Sequence, residues 1–184
     1  MNKKSISMCA FIVAQLQFYS SLSLSDDSLP TLCKTNEIAF LNSKLYKVKH
    51  DGLVDRNTEK ILSLCADKEK EPFGKFVYRY GATGNVEMEK IATNTDKFGL
   101  YAQFDSGSRA GEIAVSFSKG QYTYVVKEGM GMNSSGVRLS VYKSGENILN
   151  LSHDTYNDYE SRLDQINFEG ASPVFKVIKP IEPW

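Results

Sequence analysis

"LSLCADKEKEPFGKFVYRYG" (62–81) decides how the chain folds. It sets Cys65 in an apolar segment, passes through the charged run "DKEKEPFG" (67–74), and enters "KFVYRY" (75–80), where Phe76, Tyr78 and Tyr80 alternate with Val77 and Arg79. A period of two places alternate side chains on opposite faces of a strand, and aromatic and β-branched residues suit such a half-buried surface. The three aromatics read as core and Arg79 as the opposite, outward face. The charged run reads as a solvated connection between two strands. Cys65 is either a reactive thiol or a structural staple, and the rest of the chain must decide between them.

Outward from this stretch the same signature recurs. "TEKILSLCA" (58–66) precedes it as a strand, and "GATGN" turns the chain into "VEMEKI" (86–91). "KFGLYAQF" (97–104) follows, and "EIAVSF" (112–117) and "QYTYVVK" (121–127) flank "SKG". "GVRLSVYK" (136–143) and "NILNLS" (147–152) flank "SGE". Short links with glycine suit hairpins that need a left-handed position. In "EIAFLNSKLYKVK" (37–49) the polar triplet "NSK" reads as a break between two short strands, and "HDG" (50–52) as a turn. Tyr156, Tyr159, Leu163 and Ile166 recur at helical spacing, with Asp154 placed to cap a short helix. "PVFKVIKP" (173–180) reads as an edge strand, because prolines bracket it. These spacings predict a mainly β chain: one antiparallel β-sandwich or open barrel-like sheet with one short C-terminal helix.

The N-terminus reads as an export signal. Lys3 and Lys4 form a basic start, Ile6 to Ala14 an apolar run too short to span a bilayer, and Ser23 and Ser25 suit cleavage before Asp26. Residues 1–25 are therefore expected to be a signal peptide and 26–184 one β-rich domain, with 26–32 a loose lead-in. The lysine-led signal has a bacterial look and implies a periplasmic location. Cys9 falls inside the apolar run without the small residues that lipidation requires. That leaves Cys33 and Cys65, an even pair in an exported chain, which reads as a disulfide. The closed loop of about 30 residues would contribute about 3 kcal/mol. A reactive thiol would want a neighbouring base or a C-x-x-C spacing, and neither is present.

Several chemistries are disfavoured. Lys and Arg number 22 against 22 Asp and Glu, so no net field points to nucleic acid or to a cationic partner. His50 and His153 are the only histidines, and no G-x-S-x-G elbow or H-E-x-x-H motif occurs. Glu87 and Glu89 make a superficial carboxylate pair on one strand face, yet alternate charged residues ordinarily face water. Asp154, Asp158, Glu160 and Asp164 read as a solvated helix face rather than a calcium loop. The expectation is a protein that is not an enzyme and needs no cofactor and no metal.

Two loops stand out. "KEGMGMNSSGVR" (127–138) carries three glycines and two methionines, a soft and adaptable tip. "DSGSRAG" (105–111) holds Arg109 as its one strong donor. Aromatic, methionine and arginine side chains dominate protein interfaces, which makes Arg79, Tyr101, Arg109, Met130, Met132 and Arg138 the candidate partner-binding residues.

The residues Ser63, Leu64 and Cys65, then Tyr78 to Gly81, then Gly84 and Val86 to Glu89, resemble a pattern of small exported bacterial proteins. In these an "SLC" strand and a charged loop lead to a "YRYG" strand and a "V-E-M-E" strand. "EIAVSFSKGQYTYVV" (112–126) is similar to their central hairpin. Some of these proteins look like periplasmic immunity proteins of secreted effectors, for example of type VI secretion. The resemblance implies a non-enzymatic, β-rich fold. The leading functional expectation is a periplasmic immunity or inhibitor protein that binds a toxic effector enzyme and blocks it sterically. The alternative is a cell-envelope module that binds glycan or peptidoglycan through exposed tyrosines.

Overall fold

The structure, a computed structural model of the 184-residue chain, describes residues 28–67, 75–104, 110–131, 135–166 and 174–178. The expected signal peptide lies outside the described residues. The alternating segments form eleven strands: β1 (Glu37–Val48), β2 (Val54–Asp67), β3 (Phe76–Ala82), β4 (Asn85–Ala92), β5 (Phe98–Phe104), β6 (Gly111–Lys119), β7 (Tyr122–Met130), β8 (Gly136–Lys143), β9 (Glu146–Ser152), β10 (Tyr159–Ser161) and β11 (Phe175–Val177). They make one open, mixed sheet in the order β11-β5-β6-β7-β8-β9-β1-β2-β3-β4, with β10 pairing β1 off this path. All pairings are antiparallel except β11 beside β5, which is parallel. The fold is therefore mainly β and open, as the alternation predicts.

The two halves of the sheet face each other. The ring of Phe76 on β3 lies 4.8 Å from that of Phe175 on β11, and Tyr78 on β3 lies 4.8 Å from Phe117 on β6. Between them a continuous core runs through Leu62, Leu64, Phe98, Val115, Val126 and Leu139. Phe76 and Tyr78 are thus core, as read from the sequence, and Tyr80 packs against that core half-buried. The hairpins also follow the sequence: Gly120 (φ 63°) turns β6 into β7, and Ser144 and Gly145 (φ 51° and 90°) turn β8 into β9.

Four expectations change. "NSK" is not a break, because β1 runs unbroken through it. Its polar atoms find partners: the Asn42 amide donates to the carbonyls of Leu29 and Pro30 and its oxygen accepts from Ser63, while the Ser43 hydroxyl donates to Lys44. A polar residue in mid-strand is tolerated when so paired. The described part of the expected lead-in, residues 28–32, is not loose: together with residues 33–36 it lies over β1–β3, and Leu32 is buried. The helical spacing at 154–166 becomes two 3-10 turns, Tyr156–Asp158 and Leu163–Gln165, separated by β10. Thr155, not Asp154, occupies the first cap, and Asp158 accepts from the amides of Asp154 and Thr155. Pairing with β10 satisfies backbone groups on the edge of β1 at Leu41–Ser43 that a helix there would leave without a strand partner.

Candidate functional site

The outward face of β1–β3 is covered. Cys33 and Cys65 form a disulfide, which fixes the 28–36 strap onto β2. Beneath it Arg79 is 1% exposed, which corrects its reading as an outward residue: it sits on the face opposite Tyr78, but the strap closes that face. Its guanidinium donates to both Glu37 oxygens (2.5 and 2.9 Å), to Glu89 (2.7 Å) and to the carbonyl of Leu32 (3.3 Å). Burial pushes the Glu37 carboxyl up, but the hydrogen bonds from Arg79 and from the Lys34 amide outweigh it and hold the group below its ordinary value. The bond to Glu37 raises the Arg79 guanidinium further still. The ligand atoms of Cys33, Cys65 and Glu37 lie within 4.8 Å of one another, yet the two sulfurs bond each other and the carboxylate is taken by Arg79. Cys65 is a staple.

Glu87 and Glu89 do not act as a pair either. The register shift between Tyr80 and Gly81 separates them, so Glu87 bridges to Lys60 (2.5 Å) and Glu89 to Arg79.

The outward face of β7–β9 is open. Strand register sets Tyr101, Ala114, Lys127, Arg138 and Ser152 in one row across β5 to β9. Two of the candidate residues, Tyr101 and Arg138, therefore share a row, and of the two only Arg138 is exposed. Tyr101 is half-buried, with its hydroxyl hydrogen-bonded to Gln103. Arg138 makes no side-chain ion pair or hydrogen bond among the described residues, whereas Lys127 beside it bridges to Glu112 (2.6 Å). Met130, half-buried at the end of β7, packs against the core instead of projecting. Arg109 and Met132 lie outside the described residues.

Around Arg138 the strands curve into a groove of about 740 Å³. Its floor is polar: Ser140 donates to Asn150 (2.8 Å), and Asn147 donates to the same oxygen (3.0 Å). Its lip comes from the β1–β2 hairpin tip, where Val48 and Leu53 are 39% and 66% exposed. At one end His153 sits half-buried against Tyr159 (ring centroids 5.3 Å), with Asp154 paired to Arg56. Gly136 makes room for that ring, since a Cβ there would lie 1.8 Å from the His153 Cε1, and its φ of 130° itself favours glycine. His50 lies exposed on the β1–β2 turn.

The sequence pointed to Arg138 but not to the hairpin lip. Exposed Leu53 beside "HDG" was the available signal. The chain thus presents an open β sheet whose outward face is strapped over β1–β3 and grooved over β7–β9. Comparison with protein-family models, with characterised proteins and with solved structures returns no match.

Proposed function

We propose that the protein is an exported, non-catalytic inhibitor of the immunity kind, which binds a toxic effector enzyme in the periplasm and blocks it sterically. The observation that carries this reading is the groove: an unpaired, exposed arginine stands on its floor and exposed Val48 and Leu53 form its lip. Arginine with apolar neighbours is the composition of interface centres. A projecting segment of the partner would enter the groove, with Arg138 meeting a carboxylate or carbonyl and Leu53 giving apolar contact. The rigid, disulfide-stapled sheet would then cover the enzyme's cleft. The test is co-expression with a periplasm-directed product of the adjoining reading frame. The wild-type protein should protect cells and co-purify with that product, and Arg138→Glu and Leu53→Asp should each lose both properties. Absence of protection and of a complex for the wild type would overturn the reading. Protection that survives both substitutions would remove the groove from it.

A second reading is favoured by one observation. Ser140, Asn147 and Asn150 furnish the hydroxyl and amide groups that sugar hydroxyls pair with, and Tyr142 lines the same groove. A glycan-binding module would co-sediment with purified peptidoglycan in an Arg138- and Asn147-dependent way, and an inhibitor of an enzyme would not.

A further inference from the structure

Toward the β11 edge of the outward face, where β11, β5, β6 and β7 lie side by side, the sheet carries a second hollow of about 370 Å³. Register places Lys176, Gly99 and Ser116 in one row across β11, β5 and β6, with Ser118 opposite Thr123 in the next. These residues alternate with Phe175, Phe98, Phe117 and Tyr124 of the core, so they face away from it. Gly99 draws the walls together. A Cβ there would lie 2.6 Å from the Ser116 Oγ and 2.8 Å from the Ile178 Cδ1, which places the hydroxyl on the outward side of β5. Ser116 is 5% exposed, and its hydroxyl makes no hydrogen bond among the described residues. Among those residues the Tyr78 hydroxyl is the sealed side-chain atom that lacks a partner. The Ser116 oxygen, unpartnered but not sealed, therefore opens to the hollow it lines. Ser118 and Thr123 pair with each other at 3.3 Å, a long contact that a guest would readily replace. Lys97 and Lys176, both exposed, also line the hollow and make no ion pair among the described residues. Asp96, the one carboxylate among the described lining residues, is taken by Lys90. Two positive charges are left unbalanced.

We propose that this hollow binds a phosphate monoester of a small sugar, its phosphate held by Lys97 and Lys176 and its hydroxyls by Ser116, Ser118 and Thr123. A phosphate monoester carries about −1.5 to −2 charge at neutral pH, which matches two ammonium groups, whereas a carboxylate would leave one of them unbalanced. Lysine binds phosphate as a point charge on a flexible stem, so exposed lysines can close on it from two sides. Serine and threonine hydroxyls both donate and accept, as sugar hydroxyls do, and a sugar would give Ser116 the partner that the fold does not. The volume lies at the lower end of the range for ligand pockets, which suits one phosphorylated ring and not an oligomer.

The hollow and the groove share no lining residue among those described, so the test leaves the groove readings untouched. It titrates glucose 6-phosphate, glucuronate and glucose separately onto the full chain and follows amide chemical shifts. Glucose 6-phosphate should bind saturably, with shifts centred on Gly99, Ser116, Ser118 and Lys176. Glucuronate, with a single charge, should bind about tenfold weaker, and glucose not measurably. Lys97→Gln and Lys176→Gln should each weaken glucose 6-phosphate about tenfold, and Ser116→Ala about fivefold, all three melting with the wild type. Lys49→Gln removes an exposed charge from the distant β1–β2 turn and should change binding by less than about twofold, because salt screens it. No saturable binding to the wild type, or glucose or glucuronate binding as well as the phosphate, would overturn the proposal. So would equal losses in Lys49→Gln and Lys176→Gln, or undiminished binding in Ser116→Ala.

Discussion

Arg79 and Arg138 occupy equivalent places in two regions of one sheet. Each lies mid-strand, on the face turned away from the core, between residues whose side chains point inward. Arg79 is sealed under the strap and shared between two glutamates, while Arg138 is exposed on the floor of a groove. The difference comes from chain that is remote in sequence. Residues 28–36 are drawn over β1–β3 by one disulfide and by Asn42, Ser63 and Arg79, which satisfy the strap's own backbone: Ser63 accepts from the Leu32 amide at 3.0 Å. No comparable segment crosses β7–β9 among the described residues. A strand pattern fixes the face a side chain takes, and a covering segment decides whether that face is dry.

The largest way to test this contrast is Arg79→Leu. It leaves Glu37, with a side chain only 2% exposed, as an uncompensated buried carboxylate. Breaking such a pair from one side is expected to cost about 3–5 kcal/mol in urea unfolding. Glu89, at 39% exposure, adds little, because solvent screens it. The double change Arg79→Leu with Glu37→Leu should recover much of the loss, since no buried charge then remains. A single-mutant loss below 1 kcal/mol would mean the strap does not seal the pair. The Glu37 carboxyl, held low by Arg79, gives stability that is full above the ordinary carboxylate value and falls away as the pH drops through the lower folded value.

Next in size is the staple itself. Replacing Cys33 and Cys65 by serine should lower stability by about 2–4 kcal/mol. The loss should be local in character. Hydrogen exchange at the Leu32 amide should accelerate strongly, while amides of the β7–β8 ladder keep their protection relative to the global opening. Uniform acceleration across both regions would show that the strap and the grooved half unfold as one unit.

Much of this architecture was legible in the sequence. The alternation at 76–80, 112–117, 121–127 and 136–143 reports strands directly, because every side chain there answers to a pleat and one buried face. The pairing of Cys33 with Cys65 followed from there being two cysteines after the signal-like start. What the sequence did not report was the strap. Asn42 of "NSK" and Arg79 look like surface residues because polar side chains ordinarily face water, and a strap 12 to 47 residues distant supplies partners for both. The helix at 154–166 failed for a related reason: helical spacing and a short strand flanked by 3-10 turns both leave Tyr159, Leu163 and Ile166 able to reach the core. The groove was half legible, as Arg138 without its lip.

A smaller effect separates the inner faces of the two halves. Glu128 on β7 is 7% exposed and accepts a hydrogen bond from Ser161 on β10 (2.5 Å). Burial pushes its carboxyl up, and the Ser161 bond offsets this only in part. The sign is opposite to that of Glu37. A raised folded value gives stability that is full below the ordinary carboxylate value and is lost as the pH rises through the folded value. Glu128→Gln keeps an acceptor for Ser161 and removes the charge, so it should raise the melting temperature at pH 7. That gain should shrink as the pH approaches 4. A gain that does not vary with pH would place its origin in packing.

The smallest expected change in stability is Arg138→Ala. An exposed side chain with no ion pair among the described residues should shift unfolding by less than about 0.5 kcal/mol. That near-neutrality is what makes the comparison with Arg79 informative. The same residue type, on the same face of the same sheet, is expected to differ about tenfold in its contribution to folding according to whether a strap lies over it. A cation that the fold scarcely needs, set on the floor of a groove with an apolar lip, would then be available for something other than folding. If Arg138→Ala instead destabilised the protein by 2 kcal/mol or more, Arg138 would be a structural residue like Arg79, and the grooved face would lose its claim to be the working surface.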